Sequence, residues 1–107
     1  MAVEASGTQA ATIGTEHTLS GSFTTEKTYL LYVDTTNLLN GDELELRVKM
    51  KAASGGSELL IWAGYYIHSQ TDVLKASVPI RSPYSCSFTL KQTVGTGRSF
   101  PWVILSV

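Results

Sequence analysis

Apolar and polar side chains alternate along most of this chain with a period of two. In residues 44–52, Leu44, Leu46, Val48 and Met50 fall on one side, with Glu43, Glu45, Arg47, Lys49 and Lys51 on the other. That pattern predicts a half-buried antiparallel strand with a wet outer face. Leu19, Gly21 and Phe23 alternate with Thr18, Ser20 and Ser22, which predicts an earlier strand with one polar face. Residues 28–33 differ, since Tyr29, Leu31 and Val33 on one side face Leu30 and Tyr32 on the other. An apolar character on both faces predicts a central strand, or one covered by a partner. Residues 59–68 repeat this two-sided pattern: Leu59, Ile61, Ala63, Tyr65 and Ile67 against Leu60, Trp62, Gly64, Tyr66 and His68. Their β-branched and aromatic content favours a strand over a short helix, and Gly64 marks a bulge or a close backbone approach.

The breaks between these runs carry turn chemistry. Ser54-Gly55-Gly56 separates 44–52 from 59–68, and Val94-Gly95-Thr96-Gly97 separates 86–93 from 99–107. Both predict antiparallel hairpins. Asn40-Gly41-Asp42 tolerates positive φ and predicts a tight loop. Pro79 interrupts the short run 75–80 and assigns it to an edge or a corner. Seven or eight short strands in a chain of 107 residues predict a single all-β domain, an antiparallel β-sandwich of jelly-roll-like type. Residues 1–16 are rich in Ala, Gly and Thr, with Val3 and Ile13 as their large apolar side chains. Such a composition buries little surface, so a flexible N-terminal arm is expected there, ordered against a neighbour, with the sandwich domain spanning 17–107.

Composition narrows the function classes. A net charge of −1 and a pI near 6.0 leave no basic footprint for nucleic acid. No run approaches membrane-spanning length, and no basic segment followed by an apolar stretch opens the chain, so no membrane association and maturation in a reducing compartment are expected. Cys86 is the sole cysteine, which excludes an intrachain disulfide and a thiolate zinc site. Its alternation with Phe88 and Leu90 predicts an inert, buried thiol.

The polar residues form no reactive cluster. Asp34-Thr35-Thr36 has the outline of the aspartic-protease triplet, yet Thr36 stands where that chemistry needs Gly, and an Asx-type turn accounts for it better. Gly95-Thr96-Gly97-Arg98 lacks the following helix that a phosphate loop requires. His17 and His68 are far apart in sequence and lack a carboxylate or second His at ligand spacing, and Glu43 and Glu45 sit beside Arg47 and Lys49 as ordinary surface pairs. Neither catalysis, a metal nor a cofactor is expected. The surplus of two-sided apolar strands is the more useful clue, because a two-layer sandwich hides only about half of its strand positions. Contacts with copies or partners are therefore expected at Ile13, Tyr32, Trp62, Tyr66, Arg98, Trp102 and Leu105.

The stretches Val33-Asp34-Thr35-Thr36-Asn37-Leu38, Asn40-Gly41-Asp42 and Phe88-Thr89-Leu90-Lys91-Gln92-Thr93-Val94-Gly95-Thr96-Gly97-Arg98-Ser99-Phe100-Pro101-Trp102 together resemble small proteins encoded near the head genes of tailed bacteriophages and related uncultured viruses. The resemblance implies a capsid decoration or cement protein: a homotrimer, made in the host cytoplasm, that binds the major capsid protein on the outer surface of the virion. It implies no catalytic residues. A carbohydrate- or receptor-binding module is the alternative, with Trp62, Tyr65, Tyr66 and Trp102 as an aromatic platform for a glycan.

Overall fold

The computed structural model describes residues 2–107 and contains, among them, nine strands and no helix. These are β1 (Ala2–Ala10), β2 (Glu16–Thr18), β3 (Lys27–Asp34), β4 (Glu43–Met50), β5 (Leu59–Ile67), β6 (Leu74–Ala76), β7 (Ile80–Ser82), β8 (Cys86–Val94) and β9 (Ser99–Ser106). They form two antiparallel sheets. Sheet A has the order β1-β9-β3-β6, with β7 also pairing β3, and sheet B has the order β2-β8-β4-β5. The pairs are nested in sequence: β4 with β5, β3 with β6 and β7, β2 with β8, β1 with β9. Each sheet is then completed by one further pairing, β9 on β3 and β8 on β4.

Period-two alternation sends one side of each central strand into the space between the sheets. Leu44, Leu46 and Val48 of β4 and Cys86, Phe88 and Leu90 of β8 meet Tyr29, Leu31 and Val33 of β3 and Phe100 and Ile104 of β9, all buried. Phe88 anchors an aromatic group with Phe23 and Tyr29, its ring centroid 6.0 and 6.5 Å from theirs. Burial of apolar area at about 25 cal/mol per Å² is the main stabilising contribution. At the interruption around Pro79, the Ser77 hydroxyl accepts from the Leu31 amide at 3.0 Å and so continues the ladder that the broken strand would otherwise lose.

Several expectations need correction. Part of the segment read as a flexible arm, Ala2–Ala10, is strand β1, paired with β9 from Ala2 opposite Ser106 to Ala10 opposite Ser99. Main-chain hydrogen bonds hold it, which need no large side chains. Its small residues are used differently: a Cβ on Gly7 would come within 3.3 Å of the Trp102 ring, so the bare backbone lets the indole lie across it. The strand expected over 18–23 does not form: β2 ends at Thr18, and Ser20 and Gly21 both take positive φ and lead to an isolated bridge between Phe23 and Cys86. The Gly55-Gly56 turn does join the hairpin β4–β5. By contrast, β8 and β9 lie in different sheets, so the Gly95 loop is a corner rather than a hairpin turn. The run 75–80 divides into β6 and β7 on the edge of sheet A.

Candidate interaction surfaces

Over β2, β8 and β4 the outward face of sheet B is polar and electrically self-contained, while its β5 margin exposes Leu60, Tyr65 and Ile67. Glu16 accepts a hydrogen bond from Thr89 Oγ1 at 2.6 Å, lies 3.2 Å from Lys49 Nζ and 3.9 Å from Arg47, while Arg47 also pairs with Glu45 at 3.0 Å. The Thr89 hydroxyl and the two cations hold the Glu16 carboxyl below its ordinary value, against the opposing pull of burial. Strand alternation places these residues side by side, and two acids with two bases leave little net field.

The outward face of sheet A is built from the other half of the same alternation and is apolar. Register sets Leu30 and Val3 on either side of Leu105, and Val103 and Ala76 on either side of Tyr32. Val3 and Leu74 are 62% and 63% exposed, so the apolar stripe runs to both margins of the sheet. Leu30, Tyr32, Val103 and Leu105 are half-buried side by side on this face. A shallow pocket of about 230 Å³ opens on this side, lined by Tyr32, Asp34, Leu74, Pro101, Trp102 and Val103. At its rim Asp34 accepts from the Thr36 hydroxyl at 2.5 Å and from the Thr36 amide at 2.9 Å. These two bonds hold its carboxyl below the ordinary range. The geometry is the Asx-type turn expected from Asp34-Thr35-Thr36.

The residues expected at contacts are dispersed over the molecule. Tyr32 and Leu105 lie on the outward face of sheet A. Trp62 and Tyr66 point inward from β5 opposite Val48 and Leu44, and pack partly against the core. Their rings flank Gly64, where a Cβ would stand 2.8 Å from Trp62 and 2.9 Å from the Tyr66 hydroxyl; this is the close approach expected of that glycine, while the bulge itself falls at Ile61. Trp102 also packs partly against the core, over Gly7. Ile13 is exposed in the loop between β1 and β2. Of the four aromatics considered as a platform, Tyr65 is the exposed one, at 67%. Lys75 Nζ sits 5.2 Å from the centre of the Tyr66 ring and bridges the two sheets on that side.

Arg98 is committed within the chain. Its Nε donates to Asp42 Oδ2 at 2.9 Å, and the buried Asp42 carboxylate also accepts from the amides of Leu39 and Thr96 at 3.0 and 3.1 Å. Burial would raise the Asp42 carboxyl, but the Leu39 and Thr96 amides and the Arg98 guanidinium together lower it. Gln92, fully buried, donates to the Thr96 carbonyl at 2.7 Å and accepts from the Arg98 amide at 3.0 Å, which fixes the same corner. His17 and His68 accept from the amides of Thr12 and Gly41 and serve the turns. Burial pushes the Cys86 thiol up to about 11, so little thiolate exists at neutral pH.

Sequence reading did not single out Glu58. It accepts hydrogen bonds from Ser85 and Ser87 at 2.9 Å each and from Ser22 at 3.4 Å, tying the β4–β5 turn to the start of β8. The spread of serines over 22, 85 and 87 carries no local signal for that convergence. Leu30, Val103, Leu74 and Val3 were likewise missed as one surface, because only register brings them together. Comparison with protein-family models, curated proteins and solved structures returns no match, so function is read from these surfaces.

Proposed function

We propose that this chain is a non-enzymatic structural protein of a virion, which docks on the outer surface of the major capsid lattice and cements it. The carrying observation is the contrast between the two sheets. Sheet B turns a charge-paired face to water over β2, β8 and β4, with apolar side chains only along its β5 margin, whereas sheet A turns outward a stripe of Val3, Leu30, Tyr32, Leu74, Val103 and Leu105 that runs across the whole sheet. A contiguous apolar face rimmed by polar residues is a protein-contact surface. The nested strand order supports the reading at the level of architecture, since two Greek keys wound from one long hairpin make a jelly roll, a fold used by capsid and lectin domains. Cementing then follows from linkage: a protein that binds only the assembled lattice stabilises it by about 2.7 kcal/mol per site at a hundredfold excess over its dissociation constant.

The test is cosedimentation with purified heads of the parent virus stripped of this protein. Leu105→Glu places a charge in the centre of the stripe and is expected to weaken binding by roughly 10- to 100-fold, as loss of a central anchor does. The side chain faces outward, so the unfolding midpoint should move little. Unchanged binding by this variant, or no binding by the wild-type chain, sinks the proposal. The glycan-binding reading rests on Tyr65, exposed on the polar face beside Glu45 and Arg47. Glycan-array binding abolished by Tyr65→Ala, with no affinity for heads, would replace the cement role by that one.

A further inference from the structure

The two sheets present four edges, and three of them are blunted. β1 is bent by a bulge at Glu4, β6 and β7 are three-residue pieces separated by the segment containing Pro79, and β2 is three residues long. Short strands, bulges, charges and prolines are how proteins keep a sheet edge from pairing with another chain. The fourth edge, β5, has a bulge at Ile61 but no other such protection. It runs nine residues as Leu59-Leu60-Ile61-Trp62-Ala63-Gly64-Tyr65-Tyr66-Ile67, without a charge or a proline. Its Leu59, Leu60, Ile61, Tyr65 and Ile67 are 50–67% exposed. β4 covers one side of this strand, and alternate amides and carbonyls on the other side point away from the sheet.

We propose that β5 pairs antiparallel with β5 of a second copy across a two-fold axis, joining two four-stranded sheets into one of eight strands. The strand is complementary to itself. Beyond its bulge at Ile61, a two-fold placed at Tyr65 sets Ala63 opposite Ile67 and Gly64 opposite Tyr66 of the copy, a small residue against a large one in every such pair. Faces agree as well: Ala63 and Ile67 share the outward side with their β4 partners Arg47 and Glu43, and Gly64 and Tyr66 the inward side with Leu46 and Leu44. An uncharged strand offers a foreign partner no ion pair to select it, whereas an isologous pairing needs only the strand itself. The likeness to phage decoration proteins implies three copies; this edge specifies two. The inference does not depend on the docking role of sheet A.

Light scattering and sedimentation over a range up to about 100 μM should give twice the chain mass of 11.6 kDa. Tyr65→Lys sets two like charges against each other at the axis without touching the core, and is expected to raise the dimer dissociation constant at least about tenfold. Amide hydrogen exchange should show β5 protection that grows with protein concentration in the wild type and not in this variant. Leu105→Glu should leave the dimer intact, and Tyr65→Lys should still bind heads, which separates this proposal from the docking one. A monomer throughout the range, a trimer, or a dimer that survives Tyr65→Lys with β5 amides unprotected overturns it.

Discussion

Asp42→Ala is expected to lower the unfolding free energy by about 3 kcal/mol, measured by urea titration at neutral pH. The carboxylate is 2% exposed and receives three donors, from Leu39, Thr96 and Arg98. Removing it leaves two amides and a guanidinium facing a void in the corner where the chain passes from sheet B to sheet A. Arg98 keeps about a third of its surface in water and can rehydrate, which places the cost at the lower end for a broken buried pair. Gly95→Ala should act on the same joint, since Gly95 has φ +103 and an added Cβ would overlap Asp42 Oδ1 and stand 2.8 Å from its Cα. The pH dependence has a definite sign. The folded carboxyl lies below its ordinary value of 3.8, so its stabilisation is fully present above that value and is lost as pH falls through the folded-state pKa. Glu16, lowered by Thr89 and its two cations, adds to the same acid limb. In Asp42→Asn that limb should flatten; an unaltered slope of stability against pH between 4 and 2 would show that Asp42 does not carry it (about one proton is at stake).

Phe88→Ala should destabilise the fold by about 3–5 kcal/mol, with an unchanged denaturant slope. Phe88 lies in β8 at the centre of sheet B, fully buried, and its ring meets Tyr29 of the opposite layer and Phe23, which bridges to Cys86 at the margin of sheet B. A sheet cannot slump into the space left by a ring while its strands stay hydrogen-bonded on both sides, so the cavity persists. Phe88→Leu, which keeps most of the volume, should cost less than half as much. A loss below about 1 kcal/mol for the alanine variant would mean that the two layers close over the gap.

Much of this architecture is legible in the chain because a half-buried strand writes its orientation into every second residue. Leu44, Leu46 and Val48 against Glu43, Glu45 and Arg47 give the strand and its inner side directly. The same signal fails for β1, whose Ala, Ser, Gly and Thr are held by main-chain bonds that no side chain advertises. It fails again at Gly95, where positive φ serves a corner gripped by Asp42, a residue far away in sequence. The apolar outer surface of sheet A is only half readable. Tyr32 and Leu105 announce an apolar outer side of their strands, but strands with two greasy sides do not say which side faces in. Trp62 and Tyr66 turned toward the core, while Tyr65 and Ile67 turned outward.

The interleaving of early and late strands has a consequence for biosynthesis. β9 occupies the place between β1 and β3, and β8 the place between β2 and β4, so neither sheet has its middle until both have been translated. Of the nested pairs, the hairpin β4–β5 is the local one; the others join segments far apart in the chain, and such long-range topologies fold slowly. On the ribosome the growing polypeptide therefore carries Leu31, Val33, Leu46 and Val48 before the β8 and β9 neighbours that complete their sheets, and this apolar surface stays open to wrong partners until the last strands emerge.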